Sequence, residues 1–249
     1  MSRKIWILTM FPDFFRPLSE VGVVGQVFQG MRGEKFDLNT LYIPDFCDKG
    51  FKGVDSAPYG GGPGMVMRAD VLKKALVEGV IEKGNYSLDN IKNELAVIFT
   101  APRGTVWNSS TCKKFATEYL SSQSSKDLVF ICGRYEGIDE RFIEQYIDEV
   151  YCIGDYVLSG GEIAVMAIID SAFRFSEGVL GNDESAMEDS FESNLLEHPQ
   201  YTRPAEFEGL TVPKTLTSGN HKKINEWKNN KQVEMTKKWR PDLIEKDRK

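Results

Sequence analysis

The sequence predicts an α/β fold built on a parallel sheet, and two observations predict it. Short apolar runs alternate with helical patterns through most of the chain, the order expected of strands laid side by side with helices on both faces. Two of those runs also end abruptly in polar, glycine-punctuated loops. In open α/β sheets ligands bind in the crevice beyond the carboxyl ends of the strands.

Taken in order, a strand is expected over 5–10, where Ile5-Trp6-Ile7-Leu8 follows the charged start of the chain. Further strands are expected over 36–43, 95–100, 128–132 and 150–153, each a short apolar run. Helical patterns fall between them at 21–31, 69–82, 110–120 and 140–147. The fourth strand leads into Gly133-Arg134-Tyr135-Glu136-Gly137-Ile138-Asp139-Glu140-Arg141. The fifth leads into Gly154-Asp155-Tyr156-Val157-Leu158-Ser159-Gly160-Gly161-Glu162. Either loop alone reads equally well as a tight strand-to-helix turn. Together, with Arg, Tyr, Glu and Asp interleaved among glycines that permit close backbone approach, they read as the two walls of one pocket.

A helix apolar on nearly all sides is expected over 163–175, and such a helix is buried in a core or against another subunit. The reading favoured here is a subunit interface. The next segment, 181–194, carries acids, no bases and no period, so its composition predicts a mobile linker and a domain boundary. A final helix is expected over 219–240, with Ile224, Trp227, Met235 and Trp239 on one face and Pro241 ending it.

The 249 residues suffice for one large or two modest domains. The net charge of −6 is unevenly spread: from Glu197 onward 12 Lys and Arg face 8 Asp and Glu, against 19 and 29 before it. A basic C-terminal portion fits RNA binding and fits a solvated helical tail nearly as well. No apolar run is long enough to span a bilayer. Met1-Ser2-Arg3-Lys4 passes straight into a strand rather than a signal peptide, and the four cysteines are widely spaced, two of them in apolar strands. Buried thiols in a reducing cytoplasm are therefore expected, rather than disulfides or zinc. Phosphate-loop, dinucleotide-loop, zinc-protease and EF-hand motifs are absent, and two histidines leave little for metal sites. Pro58-Tyr59-Gly60-Gly61-Gly62-Pro63-Gly64-Met65 reads as a functional loop of low specificity.

Six segments in order resemble the bacterial tRNA (guanine-N1)-methyltransferases of the SPOUT class. They are PYGGGPGM at 58–65, GRYEGIDER at 133–141, IGDYVLSGGE at 153–162, EDSF at 188–191, HPQYTRP at 198–204 and LTSGNH at 216–221. The resemblance spans nearly the whole chain. It implies a parallel α/β domain over 1–180 closed by a C-terminal trefoil knot, a flexible acidic linker over 181–196 and a small helical tRNA-binding domain over 197–249. It implies an S-adenosylmethionine pocket formed by Pro102, Gly133, Tyr135, Glu136, Ile153, Gly154, Asp155, Tyr156, Val157, Leu158, Gly160 and Gly161. It implies a homodimer with the active site between subunits, and methyl transfer to N1 of guanosine 37 of tRNA. Asp189 maps onto the general base and Arg174 onto the essential arginine. From composition alone Asp189 would be a solvated linker carboxylate, and Arg174 a charge complementing a helix dipole. The family is associated with Mg²⁺, for which the sequence offers no dedicated carboxylate cage.

Two departures from the family pattern stand out. Ala164 occupies a position usually held by proline, and Gly50 to Ser56 lacks the His and doubled Asp expected before the glycine-rich loop. Two other readings remain: a SPOUT ribose 2′-O-methyltransferase, and a non-catalytic RNA-binding dimer.

Overall fold

The computed structural model describes residues 2–48, 53–181, 189–191 and 193–245. Residues 49–52 of the altered upstream segment, and 182–188 and 192 of the acidic segment, lie outside the described residues. The chain divides into two compact units, Met1–Asp183 and Glu184–Lys249.

The first unit is built on five parallel strands: β1 (Arg3–Thr9), β2 (Phe36–Tyr42), β5 (Leu95–Val106), β6 (Asp127–Ile131) and β7 (Glu149–Cys152); β3 (Asp55–Ser56) and β4 (Val66–Met67) form a separate antiparallel pair, and the short helix α4 (Ile91–Glu94) leads into β5. Their order across the sheet is β2-β1-β6-β5-β7. Side chains alternate across a strand, and here both faces are apolar. Ile5, Ile7, Ala96, Ile98, Leu128 and Phe130 enter one core cluster. Trp6, Leu8, Val97, Phe99, Val129 and Ile131 enter the other. A sheet covered on both faces explains why the strands read as continuous apolar runs rather than alternating ones.

Helices α2 (Gly22–Phe28), α5 (Ser109–Phe115) and α7 (Glu162–Phe173) contribute to the first cluster. Helices α3 (Ala69–Lys74), continuing over Ala75–Glu82 in wider turns, and α6 (Glu140–Tyr146) contribute to the second. The helix expected over 21–31 is shorter and preceded by α1 (Arg16–Glu20), because Val21 between them is extended. Side chains cap two helices of this unit: Asn108 accepts the Thr111 amide at 3.0 Å, and Asp139 accepts the Arg141 amide at 3.0 Å.

Helix α7 corrects one expectation. Val165, Ile168, Ile169, Ala172 and Phe173 pack into the core of their own unit, so the chain's own core accounts for most of its apolar surface. The remaining stripe, Ile163, Ala167, Asp170 and Arg174, is exposed.

Strand β5 runs beyond its expected end at Thr100 for a specific reason. Thr100 and Thr105 both pair with Tyr151 of β7, so residues 101–104 bulge out and the strand then resumes beside Cys152. Gly104 lies against the Tyr151 backbone, where a side chain would not fit. The bulge re-aims Pro102 and Arg103 toward the strand ends.

In the second unit, Glu206–Phe207 and Leu210–Thr211 form a two-stranded hairpin. Glu208 and Gly209 both have positive φ, as a tight hairpin turn requires. The long helix His221–Trp239 begins on Asn220, whose side chain accepts the Lys223 amide. Only part of its expected apolar stripe is covered. Trp227 packs against His198 and Tyr201, with ring centroids 6.1 and 6.2 Å away, while Trp239 is 60 % exposed. As expected, the helix stops before Pro241, at Trp239, with Arg240 out of helical conformation; a separate short helix, Pro241–Glu245, follows.

Candidate active site

The two glycine loops converge. Beyond the carboxyl ends of β5, β6 and β7 lies a cavity of about 540 Å³. Of the residues expected in a pocket, Pro102, Gly133, Tyr135, Glu136, Ile153, Gly154, Tyr156, Val157, Leu158, Gly160 and Gly161 all line it. Asp155 is exposed and does not. The remaining wall includes Arg134, Glu140 and Ser159, which belong to the two loops but were not assigned as cofactor contacts, and Thr100 and Arg103, which lie outside both.

Close backbone contacts hold the loops in place. The Gly161 amide donates to the Gly133 carbonyl at 2.9 Å, joining the second loop to the first. A Cβ on Gly161 would lie 2.8 Å from the Thr100 hydroxyl and 3.0 Å from both the Cys132 Cα and the Gly133 nitrogen. Gly160 is hemmed in by the Arg134 guanidinium. The first loop is in turn bonded to the glycine-rich segment around residue 65. The Glu136 amide donates to Met65 O at 3.0 Å, Met67 N to Gly137 O at 2.9 Å, and Asp139 N to Met67 O at 3.0 Å. Gly64, at φ +85°, lies directly against the Glu136 side chain, which leaves no room for a Cβ. The segment that sequence alone left without a partner is therefore bonded to the first loop of the cavity.

An ion pair buried at its base ties the loops together. Arg134 Nε donates to Glu162 Oε1 at 3.2 Å, and Nη2 lies 2.8 Å from Oε2, an ionic contact off the hydrogen-bond axis. The Glu162 side chain is 1 % exposed. Thr9 Oγ1 donates to Glu162 Oε1 at 2.8 Å, Arg134 Nη1 donates to the Ser159 carbonyl at 3.0 Å, and the guanidinium sits 4.3 Å from the Phe11 ring centroid. Burial pushes the Cys132 thiol well above its ordinary range, so it is a neutral packing group rather than a nucleophile. Partial burial, then the neighbouring Asp55, raises the Tyr135 phenol. That ring therefore faces the cavity uncharged at neutral pH.

The remaining predicted residues lie elsewhere. Arg174 caps α7 on its exposed stripe in the first unit. Asp189, half-buried, belongs to the second. The residue after it exchanges hydrogen bonds with Glu197: Ser190 N donates to Glu197 Oε1 at 3.3 Å, and Glu197 N donates to Ser190 Oγ at 3.0 Å. Phe191 N bonds to Leu195 O at 2.8 Å, with Arg240 over the Phe191 ring. Most of the segment for which composition predicts mobility lies outside the described residues.

Among the described residues no group of three or more His, Cys, Asp or Glu is placed to hold a metal ion. The cavity does fit a cofactor with polar edges. It offers close-approach glycines, and the hydroxyl of Thr100 has no hydrogen-bond partner among the described residues. No helix among the described residues is long and apolar enough to cross a membrane.

Residues 3–246 match the family described as tRNA (guanine-1)-methyltransferase TrmD. The chain is also 43 % identical over 243 residues to a tRNA (guanine-N(1)-)-methyltransferase of Lactobacillus delbrueckii, covering 98 % of this chain and 89 % of that protein. It is 44 % identical over 241 residues to the protein of that name from Lactobacillus johnsonii, with 97 % and 90 % coverage. With that of Sulfurihydrogenibium it shares 42 % over 243 residues, with 98 % and 88 % coverage. This chain belongs to the tRNA (guanine-1)-methyltransferase family.

Proposed function

We propose that the chain transfers a methyl group from S-adenosylmethionine to N1 of guanosine 37 in tRNA. The observation that carries the reading is the convergence of both glycine loops on one cavity, in a chain of this family. The cofactor, when bound, supplies an electrophilic methyl group on a sulfonium. Pro102, Gly133, Tyr135, Glu136, Ile153, Gly154, Tyr156, Val157, Leu158, Gly160 and Gly161 would hold it, its adenine edge suited to backbone amides and carbonyls and its positive charge to the Glu136 carboxylate.

N1 of guanine carries a proton and is a poor nucleophile until that proton leaves. Asp189 accepts it as general base. Negative charge then grows on guanine O6, where Arg174 stabilises it with a planar donor pair suited to the base edge. A cavity that would hold the cofactor beside the bound guanine would supply much of the remaining acceleration as effective molarity.

The rest of the reading follows the family resemblance. The cofactor loops and α7 form a trefoil knot, consistent with the second loop bonding back to the first through Gly161. The domains run 1–180, 181–196 and 197–249, the last of them binding tRNA through the basic excess of the C-terminal portion. Two copies form a cytoplasmic homodimer whose active site lies between subunits, with the exposed Ile163 of α7 and the exposed Phe11 and Phe14 offering apolar surface for the second copy. The acidic segment settles its base only when tRNA is bound, which adds specificity by induced fit.

Incubation with methyl-labelled cofactor and a tRNA transcript tests the reading against its competitors. Label on the base of nucleotide 37 is expected. Label on ribose would point to a 2′-O-methyltransferase, and no label with retained tRNA binding to a non-catalytic dimer.

A further inference from the structure

Among the described residues Glu162 is the only Asp, Glu, Lys, Arg or His that is fully buried, yet no step of the chemistry above uses it. A buried ion pair is a poor source of stability, since apolar residues of similar volume commonly do as well. Its geometry suggests a different role. Arg134 carries its backbone in the first glycine loop and places Nη1 on the Ser159 carbonyl of the second. Glu162, the first residue of α7, fixes that guanidinium from below through both oxygens. Thr9, at the end of β1, holds the same carboxylate. Gly160 makes room for the arginine to pass.

We infer that Glu162 is a positioning residue: acting through Arg134, it sets the spacing of the two glycine loops and so the shape in which the cavity receives its ligand. The inference rests on the cofactor reading of the cavity for its binding readout, and on hydrogen exchange for a readout independent of that reading.

The test uses full-length protein carrying Glu162→Gln, which keeps volume and loses charge, with S-adenosylhomocysteine as the calorimetric probe. Affinity is expected to fall about tenfold or more, and KM for S-adenosylmethionine to rise in parallel while kcat changes much less. Exchange of the Gly161 amide, which bonds to Gly133 O, is expected to speed up in ligand-free protein. Arg134→Met should show the same pattern, and the double variant should lose little more than either single one, as members of one unit do. A lowered melting temperature with unchanged affinity and unchanged Gly161 exchange would reduce the pair to a structural role and overturn the inference. Should Glu162→Gln fail to fold, Arg134→Lys, which keeps the charge and loses the fork, decides by the same readouts. If wild-type protein does not bind the probe, the cofactor reading falls, and Gly161 exchange alone decides the positioning claim.

Discussion

Gly161→Ala offers the sharpest test of how the cavity is built. The backbone there, at φ −76° and ψ −12°, suits alanine, so conformational strain plays no part. Packing does. The added methyl would meet the Thr100 hydroxyl at 2.8 Å and the backbones of Cys132 and Gly133 at 3.0 Å. Two of those three neighbours are main chain in or just after a central strand and cannot swing aside. Overpacking of this kind costs about 1–3 kcal/mol. The stiffer unfolded chain returns about 0.4–1 kcal/mol. A net loss of about 1–2 kcal/mol should lower Tm by roughly 2–8 °C for a unit of this size. The control is Gly181→Ala, where nothing lies within 4 Å of the new methyl and Tm should hold or rise slightly. Thermal melts of ligand-free protein, followed by titration with S-adenosylhomocysteine, read both effects. If Gly161→Ala melts with the wild type and binds equally well, the close-packed cradle described here is wrong.

Other outcomes follow from the same residues. Asp189→Ala and Arg174→Ala should each retain S-adenosylhomocysteine binding by calorimetry while losing about 10²–10⁴-fold in single-turnover methyl transfer; full activity in Asp189→Ala would exclude it as the base. Asp139→Ala removes the α6 cap and should cost about 1 kcal/mol in urea unfolding at pH 7. The hydrogen bond from Arg141 holds the Asp139 carboxyl below its ordinary 3.8. Its charge therefore stabilises the fold fully above that value, and the advantage over alanine should shrink as pH falls through the lower folded value. Cys132, buried with its thiol pushed up, should resist alkylation at pH 8 in the folded protein and react only on unfolding, as mass mapping of the modified thiols would reveal.

The strands were legible because burial on both faces writes unbroken apolar runs such as Leu128 to Cys132. The glycine loops were legible because turn chemistry punctuates them. The bulge at 101–104 was not, since it exists only through pairing of Thr100 and Thr105 with the same residue of a strand far along the chain. Nor was the partnership of Arg134 and Glu162, 28 positions apart, which follows from the approach of two loops rather than from any local period. The all-round apolarity of α7 was visible, but sequence could not separate its core-facing residues from the exposed stripe of Ile163 and Arg174. The Ser190–Glu197 exchange of hydrogen bonds was not legible either, since it joins side chain to backbone across seven positions that share no period.

The central claim is methyl transfer from the glycine-loop cavity to a guanine base. Its most direct measurement is nuclease digestion and mass spectrometry of tRNA after incubation with S-adenosylmethionine and the purified protein. The account predicts one N1-methylguanosine, at position 37, and its disappearance when that guanosine is replaced by adenosine. Methylation of a ribose, methylation at another position, or an unmodified transcript under saturating cofactor would contradict it.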